Sequence, residues 1–284
     1  MDNNIKCTIC NHNAVFYKEA TFSHFSSNDV KITDSQYGKH WRLWRCCNCD
    51  LVYASPMPEE QYLTEQYRNM NDQDYSTEET GRKKNFSRLL THLEKIMPAR
   101  GAFLDIGAAS GLLLELAKER GWEAEGIEPS TQLYQMGIAK SLTLYHTSIE
   151  EFNSPKKYTI ITVIDVLEHL AKPELLMSKI TSWLTDNGVL CIVTPDIGSL
   201  AARIFSNRWW HYRPAHLYYF NRKSISFLLN KHGYQVITIR HYVWHFSISY
   251  LLSRLKLKSY DKLFASVVIP LNLWDSMEIY ARKK

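Results

Sequence analysis

The 284-residue chain lacks an apolar run of the length that crosses a bilayer, about 20 residues, so no spanning helix is expected. Its first residues, MDNNIKCTIC, have neither the basic start nor the apolar middle of a secretory signal. A cytoplasmic location is therefore expected, where cysteines stay reduced. Neither charge sign dominates: 34 Lys and Arg against 29 Asp and Glu leave only +5. That mild excess and the lack of a clear basic stripe make nucleic acid an unlikely partner. Internal repeats and low-complexity tracts are also missing. Cysteine is scarce, with six residues, but four of them fall into two closely spaced pairs.

Hydrophobic residues make up 45% of the chain and charged residues 22%, which is the balance of a folded globule. The length allows one large core with a small module beside it. Aromatics reach 13%, enough to favour an aromatic-lined cavity or interface.

The organising stretch is Ala102–Gly121, AFLDIGAASGLLLELAKERG. An apolar run through Phe103, Leu104 and Ile106 ends at Asp105 and the small-residue turn Gly107–Gly111. Leu112, Leu113, Leu116 and Ala117 then share a helical face, and Gly121 is placed to stop the helix. A strand, tight turn and helix in this order let a ligand lie against bare backbone. The helix N-terminus adds unpaired N–H groups and partial positive charge. This unit predicts a nucleotide-like cofactor site.

Cys7 and Cys10 form one CxxC pair, and Cys46 and Cys49 form another. Two such turns complete a tetrahedral four-thiolate site, predicted here to hold a structural zinc. Such a site has no open position and holds the fold rather than doing chemistry. Cys47 is the odd residue inside the second turn, and Cys191 lies in an apolar strand as a core residue. The stretch Ala14–Tyr37 reads as irregular strands.

Glu59–Tyr67 reads as a short helix. Asn69–Gly81 is polar and acidic and reads as a loop or lid; Tyr67 and Tyr75 could close over a cofactor or simply pack at the surface. Arg82–Met97 has helical spacing. Glu128 then ends a second strand, where a carboxylate can accept hydrogen bonds from two ribose hydroxyls. Ser148 and Ile149 follow a third strand, at the place where an adenine ring would lie. Tyr158–Val166 is almost wholly apolar, as a central parallel strand should be. A helix begins at Pro173, Asp186–Gly188 turns the chain, and Val189–Thr194 is a fifth strand. Strand and helix alternate, so the sheet is parallel with its ligand edge at the strand C-termini.

LDIGAASG, EGIEPS, and IDVLEHL followed by a Pro-started helix and DNGVLCIVTP together resemble the motifs of class I S-adenosylmethionine-dependent methyltransferases. The likeness runs from about residue 82 to the end. The cysteine front is similar to the branch of that family carrying an N-terminal zinc-binding module. The resemblance implies an α/β, Rossmann-like, seven-stranded, mostly parallel sheet whose last strand is antiparallel, plus a zinc-ribbon-like module. It divides the chain into a cysteine module at 1–57, a linker, lid and leading helix at 58–101, and a cofactor-binding domain at 102–284. It implies that Asp105 and the backbone of Gly107, Ala109 and Gly111 hold the methionine part of S-adenosylmethionine. Glu128 would hold the ribose, and Asp165 and Val166 would line the site. The family pattern DxGxGxG has Ala109 at its middle glycine.

Residues 196–220 contain SNRWWHYRPAHLYYF, expected over the ligand edge as the wall of an acceptor pocket. His245–Lys258 reads as a helix with a basic end at Arg254, Lys256 and Lys258. Ser276–Arg282 reads as the final strand. The expected reaction is methyl transfer to a small-molecule acceptor, a sugar or glycan precursor among the candidates. A hydroxyl acceptor needs a base, and imidazole has a pKa near neutrality. His169 is the first candidate and His216 the second. The competing readings are an RNA methyltransferase with a zinc ribbon and a catalytically silent scaffold. The sequence leaves the oligomeric state open.

Overall fold

The computed structural model describes residues 5–33, 36–73, 75–254 and 267–284. Three short strands come first: β1 (Ala14–Lys18), β2 (Leu43–Cys46) and β3 (Val52–Ala54). Helices α1 (Glu60–Arg68) and α2 (Glu79–Ile96) lead into β4 (Ala102–Ile106). The alternation expected from the sequence follows: α3 (Leu112–Glu119), β5 (Glu123–Ile127), α4 (Thr131–Ile138), β6 (Thr143–Tyr145) and β7 (Tyr158–Ile164). Next come α5 (Pro173–Trp183), β8 (Leu184–Pro195), α6 (Leu200–Phe205) and β9 (Tyr218–Tyr219). The chain ends in α7 (Arg222–Lys231), β10 (Tyr234–His241), β11 (Trp244–Ser247), α8 (Ile248–Arg254), β12 (Val268–Leu271) and β13 (Ser276–Lys283).

The main sheet has seven strands in the order β10-β13-β8-β7-β4-β5-β6. Strands β8 to β6 are parallel, and β13 is inserted antiparallel between β8 and β10. The chain winds outward from β4 to β6 and then returns to β7, so β4 and β7 flank the switch point. Ligand crevices open there, outside the strand C-termini. One face is packed by Leu89, Leu90 and Leu93 of α2 with Phe103, Leu113 and Leu116. The other holds Leu176, Met177 and Ile180 of α5 against Leu104 and Ile161. All these side chains are buried. Each contributes roughly 1.5–3 kcal/mol by leaving water, which fixes the crevice on a stiff base.

Four sequence expectations are corrected. The stretch 69–81, expected as a loop or lid, is irregular only in its first half. It forms a 3₁₀ turn at Tyr75–Glu78, and α2 already starts at Glu79. Buried Glu78 accepts hydrogen bonds from the Ser247 N–H and hydroxyl, both at 2.9 Å. Gly81 lets the His245 carbonyl come close, since a Cβ there would stand 2.4 Å from it. The partner lies far along the chain, which local polarity cannot reveal. Second, 186–188 is not a turn between elements but an irregular part of β8, where pairing with β7 passes from Tyr158–Leu184 to Ile160–Val189. Third, the expected helix from His245 begins with a strand, because β11 pairs with β12 and alternates Trp244 and Phe246 on one side. Lys256 and Lys258 lie outside the described residues. Fourth, within 14–37 only Ala14–Lys18 is a strand among the described residues.

A second sheet joins the cysteine module to the aromatic segment. Its order is β1-β2-β3-β9, so a strand from the aromatic segment completes the sheet of the cysteine module. Among the described residues no helix is long and apolar enough to cross a membrane.

Candidate active site

Asp105, Glu128 and Asp165 end or follow β4, β5 and β7, and all three line one cavity of about 420 Å³. That volume lies in the range of small-molecule sites. Gly107, Ala109, Ser148, Ile149 and Val166 line it too. Gly111 is not among the lining residues. It sits at the start of α3 with φ +75°, where glycine costs no steric strain.

The turn after β4 is held by two bonds, from the Gly107 and Ala108 N–H groups to the Ile127 carbonyl. Gly107 also has positive φ, and a Cβ there would meet Val166 at 2.4 Å. Ala109 adopts φ +49° despite its methyl. Its N–H donates to Glu128 Oε2 at 2.8 Å, and the Ser130 N–H donates to Oε1 at 2.7 Å. The carboxylate thus ties the small-residue turn to the tip of β5. Asp105 is held by the Thr162 hydroxyl at 2.6 Å. Asp165 has φ +50°, and its N–H is bonded to the Val193 carbonyl. Backbone strain of this kind collects at functional sites.

Burial pushes the carboxyls of Asp105, Glu128 and Asp165 each up to about 7. Opposing that, hydrogen bonds from Thr162 act on Asp105, those from Ser130 and Ala109 act on Glu128, and the Arg213 charge acts on Asp165.

His169 and His216 also line this cavity, with perpendicular rings 4.7 Å apart. His169 Nδ1 is 2.8 Å from the Tyr67 hydroxyl and 3.1 Å from the Ala215 carbonyl. Burial pushes His169 down to about 3, and the Arg213 charge adds to this. Burial pushes His216 well down as well, helped by His169 and Arg213. Burial thus favours the neutral form of both rings, the form that can take a proton.

Two further residues of this cavity, Glu168 and Asp275, were not picked out as site residues from the sequence, whereas His211 lies in the segment expected to wall it. Glu168 is buried, accepts the Thr194 hydroxyl at 3.0 Å on Oε2, and has no partner on Oε1. Burial, with the Asp165 charge, pushes its carboxyl well up. Its acid character between two leucines and a histidine was the available signal. His211 Nε2 lies 3.0 Å from Asp275 Oδ2. Asp275 stands just before the last strand, and no local pattern announces it. Glu168, His169 and His216 bring three ligand-type atoms within 4.8 Å of one another, but the Arg213 charge acting on all three opposes a cation there.

The aromatic segment is divided. Trp209, Tyr212, Tyr218, Tyr219 and Phe220 are buried in the core, whereas Trp210, His211, Arg213 and His216 face the cavity. Arg208 is exposed. Tyr67 and Tyr75 also line the cavity.

In the N-terminal module, Cys7, Cys10, Cys46 and Cys49 bring their sulfurs within 4.8 Å of one another. Cys7 and Cys49 are 3.7 Å apart, and Cys10 and Cys46 are 3.3 Å apart. The N–H groups of Asn48 and Cys49 point at the Cys46 sulfur, both at 3.4 Å. Four sulfurs at this spacing fit a tetrahedral thiophilic ion, with metal–sulfur bonds of about 2.3 Å. Cys47 is exposed and outside the cluster, and Cys191 is buried in the main sheet.

The sheet order, the single antiparallel strand and an acid-rimmed crevice at the switch point define a Rossmann-like methyltransferase. The chain belongs to the methyltransferase-domain family, whose model matches residues 78–239. It is similar to a ubiquinone biosynthesis O-methyltransferase of Bradyrhizobium diazoefficiens, 25% identical over 97 residues, covering 32% of this chain and 38% of that one. A protein of the same name from Azoarcus sp. is 30% identical over 79 residues, covering 25% and 34%. The chain thus matches about a third of the length of these relatives. In fold it is similar to the plantazolicin methyltransferase BpumL, solved with a desmethyl-plantazolicin analogue and S-adenosylhomocysteine. The TM-score is 0.51 at 16% identity, over 80% of this chain and 92% of that one. Magnesium protoporphyrin IX methyltransferase from Synechocystis PCC 6803 gives 0.50 at 14%, over 72% and 84%.

Proposed function

We propose that this methyltransferase uses S-adenosylmethionine and methylates a small hydroxylated acceptor, with sugars and glycan precursors the class to test first. One observation carries the reading: Asp105, Glu128 and Asp165, on the tips of three neighbouring strands, open onto one cavity. S-adenosylmethionine, when bound, supplies a methyl already activated by a positive sulfur. The protein's task is then to align partners and exclude water. The small-residue turn presents backbone to the amino-acid part, and Glu128 accepts the ribose hydroxyls. Ser148 and Ile149 border the adenine. Asp165 and Val166 border the reacting end. His169 takes the acceptor proton on the nitrogen that does not face Ala215 and Tyr67, and His216 stands next to it as the second base.

We further propose that Cys7, Cys10, Cys46 and Cys49 hold a structural zinc. The support is the donor set itself, four sulfurs with no place for a fifth ligand. Reduced thiols of this kind suit the cytoplasm. The test of the acceptor class is direct. Methyl-tritiated S-adenosylmethionine is incubated with the protein and a fractionated small-molecule extract, and in parallel with total RNA. Label in a small molecule supports the reading. Label in RNA alone, or in neither, contradicts it.

A further inference from the structure

We infer that the cysteine module is the positioning element for the acceptor side of the cavity, and not only a fold-stabilising appendage. The inference rests on the methyl-transfer reading for what the cavity is, but not for how its walls are held.

Two tethers run from the module to the cavity. The first starts at the second cysteine turn, which joins β2 to β3 and is closed by the Cys46 N–H bonded to the Leu51 carbonyl. Strand β3 pairs with β9 at Val52–Tyr219 and Tyr53–Tyr218. The Ala54 N–H bonds to the Leu217 carbonyl at 2.8 Å, one residue beyond His216. At the far end of β9, Asn221 Nδ2 donates to Asp50 Oδ2 at 2.6 Å. Both ends of the strand that follows His216 are therefore pinned, one to β3 and the other to the loop that carries Cys49.

The second tether is the segment from Val30 to Thr33, which belongs to the module and lines the cavity. Arg213 Nη2 donates to the Lys31 carbonyl at 2.9 Å, and the Thr33 N–H donates to Asp72 Oδ2 at 2.8 Å. Trp41 Nε1 donates to the Pro214 carbonyl at 2.7 Å, two residues before His216. The residues that hold the cofactor side are different. The bonds to Asp105 and Glu128 come from Thr162, Ala109 and Ser130, and the Asp165 N–H donates to the Val193 carbonyl, all outside the module. The cavity thus has two differently held halves, which meet where the Asp72 N–H donates to Gln132 Oε1 at 2.6 Å, and the four-sulfur site belongs to the acceptor half.

Hydrogen exchange tests this without knowing the acceptor. The full chain is loaded with zinc, then stripped with 1,10-phenanthroline. Exchange is followed by mass spectrometry, and S-adenosylhomocysteine binding is followed by calorimetry. Stripping should speed exchange at least tenfold in segments 28–33 and 213–220. Segment 102–130 should change less than twofold, and the Kd for S-adenosylhomocysteine less than threefold. Trp41→Phe keeps the metal and the ring packing, and should speed exchange in 213–216 alone. Failure to bind zinc, unchanged exchange in 213–220 after stripping, or equal loosening of 102–130 would overturn the inference. If the loaded protein binds no S-adenosylhomocysteine, the cofactor reading fails, while the exchange pattern still decides this one.

Discussion

The Tyr67 hydroxyl lies 2.8 Å from His169 Nδ1, so α1 touches the residue just past the tip of β7. The same nitrogen faces the Ala215 carbonyl at 3.1 Å. A proton on Nδ1 directed at that carbonyl leaves the other nitrogen as the basic one. His169→Ala should lower turnover at least tenfold while the Kd for S-adenosylmethionine stays within threefold. Steady-state kinetics with the labelled acceptor, beside calorimetry, measures both. Wild-type turnover in the variant would clear His169 of proton transfer.

The pocket acids predict a pH dependence. Asp105, Glu128 and Asp165 have native values raised to about 7, against about 4 in an unfolded chain. Between those values the native state binds more protons, so their contribution to stability falls as pH rises and levels off above 7. His169, lowered to about 3, acts in the opposite sense and adds stability with rising pH up to roughly 6.5. A cationic ligand whose hydroxyls need a carboxylate acceptor favours the ionised acids. S-adenosylmethionine affinity should rise about tenfold from pH 6 to 8, about 1.4 kcal/mol, with protons released on binding near pH 6.5. Calorimetry in two buffers of different ionisation heat reads both, and a flat profile would count against these carboxyls.

Ala109 tests the strained turn. Its φ of +49° is left-handed, a conformation that costs a residue with a Cβ roughly 1–2 kcal/mol. Ala109→Gly should leave thermal stability unchanged or raised, because relief of strain offsets the greater freedom of the unfolded glycine. Ala109→Val should lose about 1 kcal/mol or more, since a β-branched side chain fits this region worst. Thermal melts of both variants decide it.

The cysteine cluster makes a selective claim. Elemental analysis should find one zinc per chain. Cys49→Ser should lower metal content and stability together. Cys47→Ser should keep both, because that thiol is exposed and outside the cluster. Metal loss in the Cys47 variant would mean the ligand set is wrong.

Local chemistry made the central unit readable. The apolar run to Asp105, the small-residue turn and the helix after it are close in sequence, and so are Pro173 and α5. The strand-end acids were legible because a parallel sheet places every strand end on one edge. What stayed hidden depends on distant partners. Two residues at Tyr218–Tyr219 become a strand only because β3 lies beside them. Glu78 and Gly81 are ordered by Ser247 and His245, more than 160 residues away, so their polar stretch read as a loop. Asp275 reaches His211 through the fold, with no periodicity to mark it.

The central claim is that the three strand-tip acids share one cofactor pocket, and Glu128→Ala tests it most directly. S-adenosylmethionine is titrated calorimetrically into the wild-type chain and into this variant, with thermal melts of both. The account predicts saturable one-site binding to wild type and affinity weakened at least thirtyfold in the variant, with melting temperatures within a few degrees. Equal affinity in the two proteins, or no binding to wild type, would contradict it.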